Sequence, residues 1–160
     1  MLPYFRSRRK IPLDKLDWTN YYGSMDTQEF SQSIEDYLET ILLQIDESGG
    51  NKGARISDIA KKLKVKKPSV VRAIEELKQK GLVEHKPYGK VFLTPEGERT
   101  AADVYERHKL LLCFFHHFLG VALETAEEDA CAIEHYISRE SLKKLREFME
   151  KHNELKMKTI

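Results

Sequence analysis

The chain has 160 residues, 41% of them hydrophobic, with 26 acidic and 27 basic side chains and a formal net charge of +1. A folded protein is expected, with enough apolar material for one sizeable core or two small ones. Two cysteines (Cys113 and Cys131) exclude a disulfide scaffold and fit reduced thiols in a cytoplasmic protein; no apolar run reaches the roughly 20 residues of a membrane span, and the basic start (Arg6, Arg8, Arg9, Lys10) has no apolar stretch behind it, so no secretory signal is expected.

Residues 1–30 mix aromatic and charged side chains without a period and read as an N-terminal extension, within which Met25 is an alternative start. From about Ser31 to Glu47, Ile34, Tyr37, Leu38, Ile41, Leu42 and Ile45 recur at helical spacing and predict an amphipathic helix ended by Gly49 and Gly50. A second helix carries Ile59, Ala60 and Leu63, with Ser57 as its expected cap. After a short turn, Pro68 opens a third helix holding Val70, Val71, Ile74 and Leu77, and Gly81 suits the position just past its end. The runs 82–86 and 90–93, joined through Pro87-Tyr88-Gly89, predict a hairpin. Thr94-Pro95-Glu96 opens a long helix that runs to about Leu119 and stops at Gly120. Thr125 and Glu128 have capping-box spacing for a helix near 126–137, and Ser138 can cap a last helix with Leu142, Leu145, Phe148 and Met149.

Helix, helix, turn, helix, hairpin is the order of a winged helix-turn-helix. The expected fold is therefore mostly α. A DNA-binding winged helix spans 31–100 and an all-helical domain spans 101–160. The charge supports this division. Residues 1–51 carry five basic and nine acidic side chains, residues 52–90 carry twelve and four, and residues 91–160 carry ten and thirteen. The positive charge is thus concentrated on the reading module, where a nucleic-acid surface needs it. The third helix would enter the major groove by its N-terminal end, which places Lys66, Lys67, Pro68, Ser69 and Arg72 at the DNA. Arg72 is positioned for a bidentate contact to guanine, while Lys67 and Ser69 suit phosphates. Lys86, Tyr88 and Lys90 at the hairpin tip would lie along the backbone or minor groove. A winged helix used for protein contacts is the competing reading, and the basic excess disfavours it.

A second pattern concerns metal chemistry. Cys131, Glu134 and His135 stand at i, i+3 and i+4 and share one helix face; Ala130, Ile133 and Ile137 would supply that helix's core side. Asp36 and Glu39 form an i, i+3 pair on the first helix. The default for such a pair is a solvated face, but Leu43 on the same face argues that it meets another part of the protein. His108 faces an apolar stripe, where a satisfied core histidine is the commoner case. Carboxylates and imidazoles suit Mn(II) or Fe(II), and a thiolate moves the preference toward Fe(II), Co(II) or Zn(II). His116 and His117 lie off the His108 face and read as surface or interface residues.

These residues stand within a series of ordered segments. They are Ile-Glu-Asp-Tyr-Leu-Glu-Thr-Ile (34–41), Lys-Pro-Ser-Val-Val-Arg (67–72), Gly-Leu-Val-Glu (81–84), Leu-Thr-Pro-Glu-Gly (93–97), Arg-His-Lys-Leu-Leu (107–111) and Asp-Ala-Cys-Ala-Ile-Glu-His (129–135). From about Ser31 to Phe148 the chain resembles the DtxR/MntR metalloregulators. By position, the resemblance implies metal ligands at Asp36, Glu39, His108, Cys131, Glu134 and His135. It also implies a homodimer built from the helices after residue 100, and repression of metal-uptake genes when Mn(II) or Fe(II) is abundant, with Zn(II) or Co(II) as substitutes. The similarity ends before the SH3-like third domain of longer members, as in the manganese branch. Asp36 is similar to that branch, where the iron branch has methionine. Cys131 is similar to the iron branch, where the manganese branch has a glutamate that bridges two metals. Leu112 stands where the iron branch's ancillary site uses a glutamate. The expectation is a regulator of double-stranded operator DNA, with no enzymatic activity, small-molecule substrate or membrane association. A metal-independent winged-helix regulator is the alternative, and a metal hydrolase on a helical scaffold is disfavoured by the absence of a phosphate loop.

Overall fold

The structure, a computed structural model, describes residues 30–47, 53–86 and 89–157. Six α-helices and one hairpin follow in chain order: α1 (Gln32–Glu47), α2 (Ile56–Leu63), α3 (Lys67–Gln79), β1 (Val83–His85), β2 (Val91–Leu93), α4 (Pro95–Cys113), α5 (Leu123–Ile133) and α6 (Arg139–Met157), with a π-helical turn, Phe114–Phe118, directly after α4. The extension and Tyr88 lie outside the described residues.

The winged helix is built as the periodicity requires. Leu38 and Ile41 of α1, Ile59 of α2, and Val70, Ile74 and Leu77 of α3 close a single core with Leu82, Val83 and Val91 of the hairpin. At roughly 1.5–3 kcal/mol for each fully buried aliphatic side chain, this core dominates the module's stability. β1 and β2 pair antiparallel, Val83 opposite Leu93 and His85 opposite Val91. Ala54 joins this sheet's other edge, exchanging both backbone hydrogen bonds with Val91 at 2.8 Å. No alternation of side chains announces that pairing, because it is one residue long.

The end of the wing is tied to α4 by Thr94. Its hydroxyl donates to the Gly81 carbonyl at 2.7 Å and accepts from the Gly97 amide at 3.1 Å, and its amide donates to the Leu82 carbonyl at 3.0 Å. Thr94 is thus both the helix cap and the hinge pin between wing and helix. Gly97 is required by space: a Cβ there would come within 1.9 Å of the Leu82 carbonyl oxygen.

Two expected caps are absent. α2 starts at Ile56 with Arg55 as its uncapped N-terminal residue, and the Ser57 hydroxyl turns to Asp58 instead. α5 starts at Leu123, not near 126, because the turn through Gly120 (φ +71°) returns the chain to helical geometry within three residues; Thr125 falls inside the first turn and caps nothing. Ser138 does cap α6, accepting from the Ser141 amide at 3.1 Å.

α4 links two cores. Ala101 in its first half belongs to the winged-helix core, whereas Leu110, Leu111 and Cys113 pack with Ala130 of α5 and with Leu142 and Met149 of α6. The boundary expected after residue 100 therefore falls inside a continuous helix. Leu112, half-buried, packs against this second core. The second core is thin: Leu119, Leu123, Ile133 and Phe148 are exposed, Phe148 at 46%. Ile133, expected inside, faces out because α5 buries only Ala126 and Ala130.

Candidate metal centre and nucleic-acid interface

The face of α1 that carries Glu39 is covered by α4, so the solvated-face reading of Asp36 and Glu39 does not hold for Glu39, which is 1% exposed. Leu43 on the same face is buried too, as its apolar character requires. His108 projects from α4 into the same space and Glu134 from the turn that follows α5, each also 1% exposed. Three acidic or basic groups at this burial are unfavourable unless paired or ligated.

The pairing is specific. His108 Nδ1 donates to Glu134 Oε2 at 2.7 Å, and Cys131 Sγ lies 3.6 Å from the same nitrogen. Ligand atoms of His108, Cys131 and Glu134 all fall within 4.8 Å of one another. His135 Nε2 stands 3.0 Å from Asp36 Oδ1 and 3.3 Å from Glu134 Oε1, which links the cluster to α1. His108, Cys131 and Glu134 therefore form one cluster between α4 and the end of α5, Asp36 of α1 joins it through His135, and Glu39 is buried near enough to feel the charges of Glu134, His108, Asp36 and His135. The Cys131/Glu134/His135 face is not a separate polar surface; it is turned inward onto the carboxylates of α1.

The charges are balanced by protons. Burial alone would lower the His108 pKa, but hydrogen bonds from Cys131 and Glu134 with the Glu134 charge push it up to about 10. His135 is likewise driven against its burial by Asp36 and Glu35, up to about 9. Burial raises the Cys131 thiol, with His108 opposing. Glu39 has no such partner: its Oε1 is buried and makes no hydrogen bond among the described residues. Burial and then the neighbouring Glu134 charge raise its pKa to about 7. A buried carboxylate oxygen with no hydrogen bond among the described residues, near an imidazole, a thiol and further carboxylates, makes a donor set whose chemistry fits a transition-metal ion.

Two residues of this network were not anticipated. Glu35 accepts from His135 Nδ1 at 2.6 Å and from Arg107 at 2.8 Å, and these bonds hold its carboxyl below the usual range against the desolvation of burial. Arg107 also donates to the Glu134 carbonyl at 2.9 Å. An acid in a first helical turn is ordinary dipole compensation, and Arg107 lies off the His108 face, so only their places within the segments 34–41 and 107–111 marked them.

The expected nucleic-acid residues within the described part of the chain lie on the first turns of α3 and on the wing. Lys66 is the N-cap of α3, and Lys67, Pro68, Ser69 and Arg72 are exposed on its first turns, while Val70, Ile74 and Leu77 hold the opposite face in the core. Lys86 is exposed and Lys90 half-buried on the wing. Lys90 also lines a cleft of about 590 Å³ between the end of α1 and α2, together with Arg55, Lys61, Lys62 and Lys64. These extra cations lay in the basic segment 52–90, but no periodicity gathered them on one wall. His116 donates from Nδ1 to the Val121 carbonyl, 2.9 Å away, and takes no part in the cluster.

Residues 29–91 match the family model of the iron dependent repressor N-terminal DNA binding domain, and residues 94–155 match the iron dependent repressor metal binding and dimerisation domain. An HTH-type transcriptional regulator of Methanocaldococcus jannaschii is 40% identical over 76% of this chain and 95% of its own length. The transcriptional regulator MntR of Escherichia coli O157:H7 is 41% identical over 74% of each chain. The chain belongs to the DtxR/MntR family of metal-dependent transcriptional regulators. Among solved structures, IdeR of T. acidophilum superposes with a TM-score of 0.64 at 28% identity, covering 78% of this chain and 56% of its own, and the manganese regulator SloR with 0.63 at 26%, covering 73% and 53%. This chain thus spans about half the length of those two solved chains. No helix among the described residues is long and apolar enough to cross a membrane.

Proposed function

We propose that the protein is a metal-ion-activated repressor that binds operator DNA as a homodimer in the cytoplasm and controls genes for metal-ion uptake. Asp36, Glu39, His108, Cys131, Glu134 and His135 are the ligand set; Lys66, Lys67, Pro68, Ser69, Arg72, Lys86, Tyr88 and Lys90 are the DNA-contacting set. The observation that carries the reading is the position of the cluster. Asp36 and Glu39 belong to α1 of the DNA-reading module, and the other four belong to α4 and to the end of α5. Mn(II) or Fe(II) is the activating ion, with Zn(II) or Co(II) able to substitute; the single thiol among nitrogen and oxygen donors supports this range. When bound, the ion supplies the positive charge that His108 and His135 protons now provide.

The chain's own residues then do two things. The carboxylates of α1, held against His135 and Glu134, set the angle of the winged helix to the second module. The exposed apolar side chains Leu119, Leu123, Ile133 and Phe148 offer a surface for the second copy, which places two α3 helices about one DNA turn, roughly 34 Å, apart. A coupling of about 1–3 kcal/mol between ion and DNA corresponds to roughly 5–150-fold in affinity. The test is DNA binding to a candidate operator in a chelator and across Mn(II), Fe(II), Co(II) and Zn(II), with ion content measured. Binding should need an ion and be lost on chelation; binding indifferent to the chelator refutes the reading. Glu39→Ala and His135→Ala should abolish the stimulation with the helical content unchanged.

A further inference from the structure

We infer that Glu35 and Arg107 are positioning residues, a carboxylate–guanidinium relay that aims His135 Nε2 into the ligand cluster and ties that aim to α1. The inference rests on the metal reading above and assigns two residues outside its ligand set.

His135 needs such a device. α5 ends at Ile133, so His135 is carried by a turn and its imidazole is not aligned by helix packing. An imidazole can present either ring nitrogen, and the partner of one decides which atom the other offers. Here Glu35 Oε2 takes Nδ1 at 2.6 Å, and Nε2 is thereby left facing Asp36 at 3.0 Å and Glu134 at 3.3 Å. Glu35 itself stands across the ring from the cluster, with both oxygens engaged, so it acts through His135 and is not a ligand. Its other oxygen accepts from Arg107 at 2.8 Å.

Arg107 completes the relay because its fork reaches two places. One amino group holds Glu35; the other donates to the Glu134 backbone carbonyl at 2.9 Å. Its Nε lies 3.4 Å from Asp103, one turn back on α4, an ion-pair distance. The side chains of Arg107 and Glu35 are each only 12% exposed, so solvent does not screen the contacts as it does a surface ion pair. A single side chain from α4 thus fixes the backbone of the turn that carries two ligands and the carboxylate of α1 that orients one of them. Partners of this kind on metal-bound histidines typically change metal affinity 10–100-fold when removed.

The experiment compares wild type with Glu35→Gln, Glu35→Ala, Arg107→Lys and Arg107→Met, and with His135→Ala as the ligand control. Mn(II) affinity is measured by titration, thermal stability in EDTA by circular dichroism, and the His135 Nδ1–H by proton–nitrogen correlation in the Zn(II)-loaded protein. Glu35→Ala and Arg107→Met should weaken Mn(II) about 10–100-fold, Glu35→Gln less because the amide oxygen still accepts from Nδ1, and Arg107→Lys should not rescue because an ammonium cannot span both acceptors. The His135 Nδ1–H signal should be protected from exchange in wild type and lost in Glu35→Ala. Lower stability in EDTA with unchanged Mn(II) affinity and an intact Nδ1–H signal would mean a purely structural ion pair and overturn the relay. If wild type takes up no Mn(II), the metal reading fails with it; if wild type binds, His135→Ala does not, and the relay variants bind like wild type, the relay alone fails.

Discussion

Replacing Glu39 by Gln tests whether the buried cluster stores an unpaid charge for a metal. Glu39 is 1% exposed, has an oxygen that makes no hydrogen bond among the described residues, and has a pKa pushed up to about 7 from 4.5 by burial and by Glu134. A raised carboxyl pKa means that the folded protein binds more protons than the unfolded chain between the two values, so stability falls as pH rises through that window. Below about pH 4.5 the group is neutral in both states and costs nothing; above about 7 the cost is complete. A shift of about 2.5 units at 1.36 kcal/mol per unit gives about 3 kcal/mol. Glutamine keeps the shape and cannot titrate. Glu39→Gln should therefore match wild type in EDTA near pH 4.5 and exceed it by about 3 kcal/mol at pH 8, a rise of roughly 6–12 °C in Tm for a chain of this size. With Mn(II) at 100 times its Kd, wild type should gain about 2.7 kcal/mol and the variant much less. Denaturation by heat or urea from pH 4.5 to 8, with EDTA or Mn(II), reads all of this. A variant that is less stable than wild type in EDTA, or a gap that does not grow with pH, would refute the reasoning.

Metal affinity should rise with pH, because His108 and His135, with pKa values of about 10 and 9, and the Cys131 thiol must give up protons to bind an ion; competition titrations between pH 6.5 and 7.5 should show at least two protons released per ion, and fewer than one would count against these ligands. Gly97→Ala should destabilise the protein by about 1–3 kcal/mol or more, since its Cβ would sit 1.9 Å from the Leu82 carbonyl oxygen and push apart the wing and α4; an unchanged urea midpoint would contradict that packing. Arg72→Ala should cost about 1–3 kcal/mol of operator binding and relax base preference at one position, whereas Lys67→Ala should weaken all sequences alike and lower the salt dependence by about one charge; competition with mutated operators at several salt concentrations separates the two.

Much of this architecture was legible because the signals were periodic or local. Ile34, Leu38 and Ile41 announced α1, Thr94-Pro95-Glu96 announced the start of α4, and Cys131, Glu134 and His135 announced one helix face by their spacing, whereas the six-residue ligand set came only with the resemblance to the DtxR/MntR regulators. What escaped the sequence was set by tertiary contact. Within α1 only Leu43 hinted that the Glu39 face meets another part of the protein, and nothing named that part as α4, since an i, i+3 acidic pair is the normal outer face of a helix. The single Ala54–Val91 bridge has no pattern to read. The caps at Ser57 and Thr125 failed because a good capping residue one to three positions inside the true start is indistinguishable, by sequence, from one at it. Glu35 and Arg107 escaped because each has a sufficient local explanation.

The same tertiary contact explains why the cluster is suited to switching rather than to stability. An apolar core at this junction would join α1 to α4 permanently, and buried ionic groups are often replaceable by apolar side chains at no loss of stability. Here the junction is instead filled with groups that repel when deprotonated: Glu39 and Glu134 oppose one another, and His108 and His135 hold protons to offset them. That arrangement makes the contact between the DNA-reading module and its neighbour depend on what supplies positive charge. Protons do so imperfectly, leaving Glu39 Oε1 without a hydrogen bond among the described residues. On the proposed reading, a divalent ion held by these groups would supply that charge, and only when both modules are in place to provide them. The free energy of binding such an ion would then be free energy for one relative orientation of α1 and α4, and the burial of Glu39 would give it leverage over the reading helix.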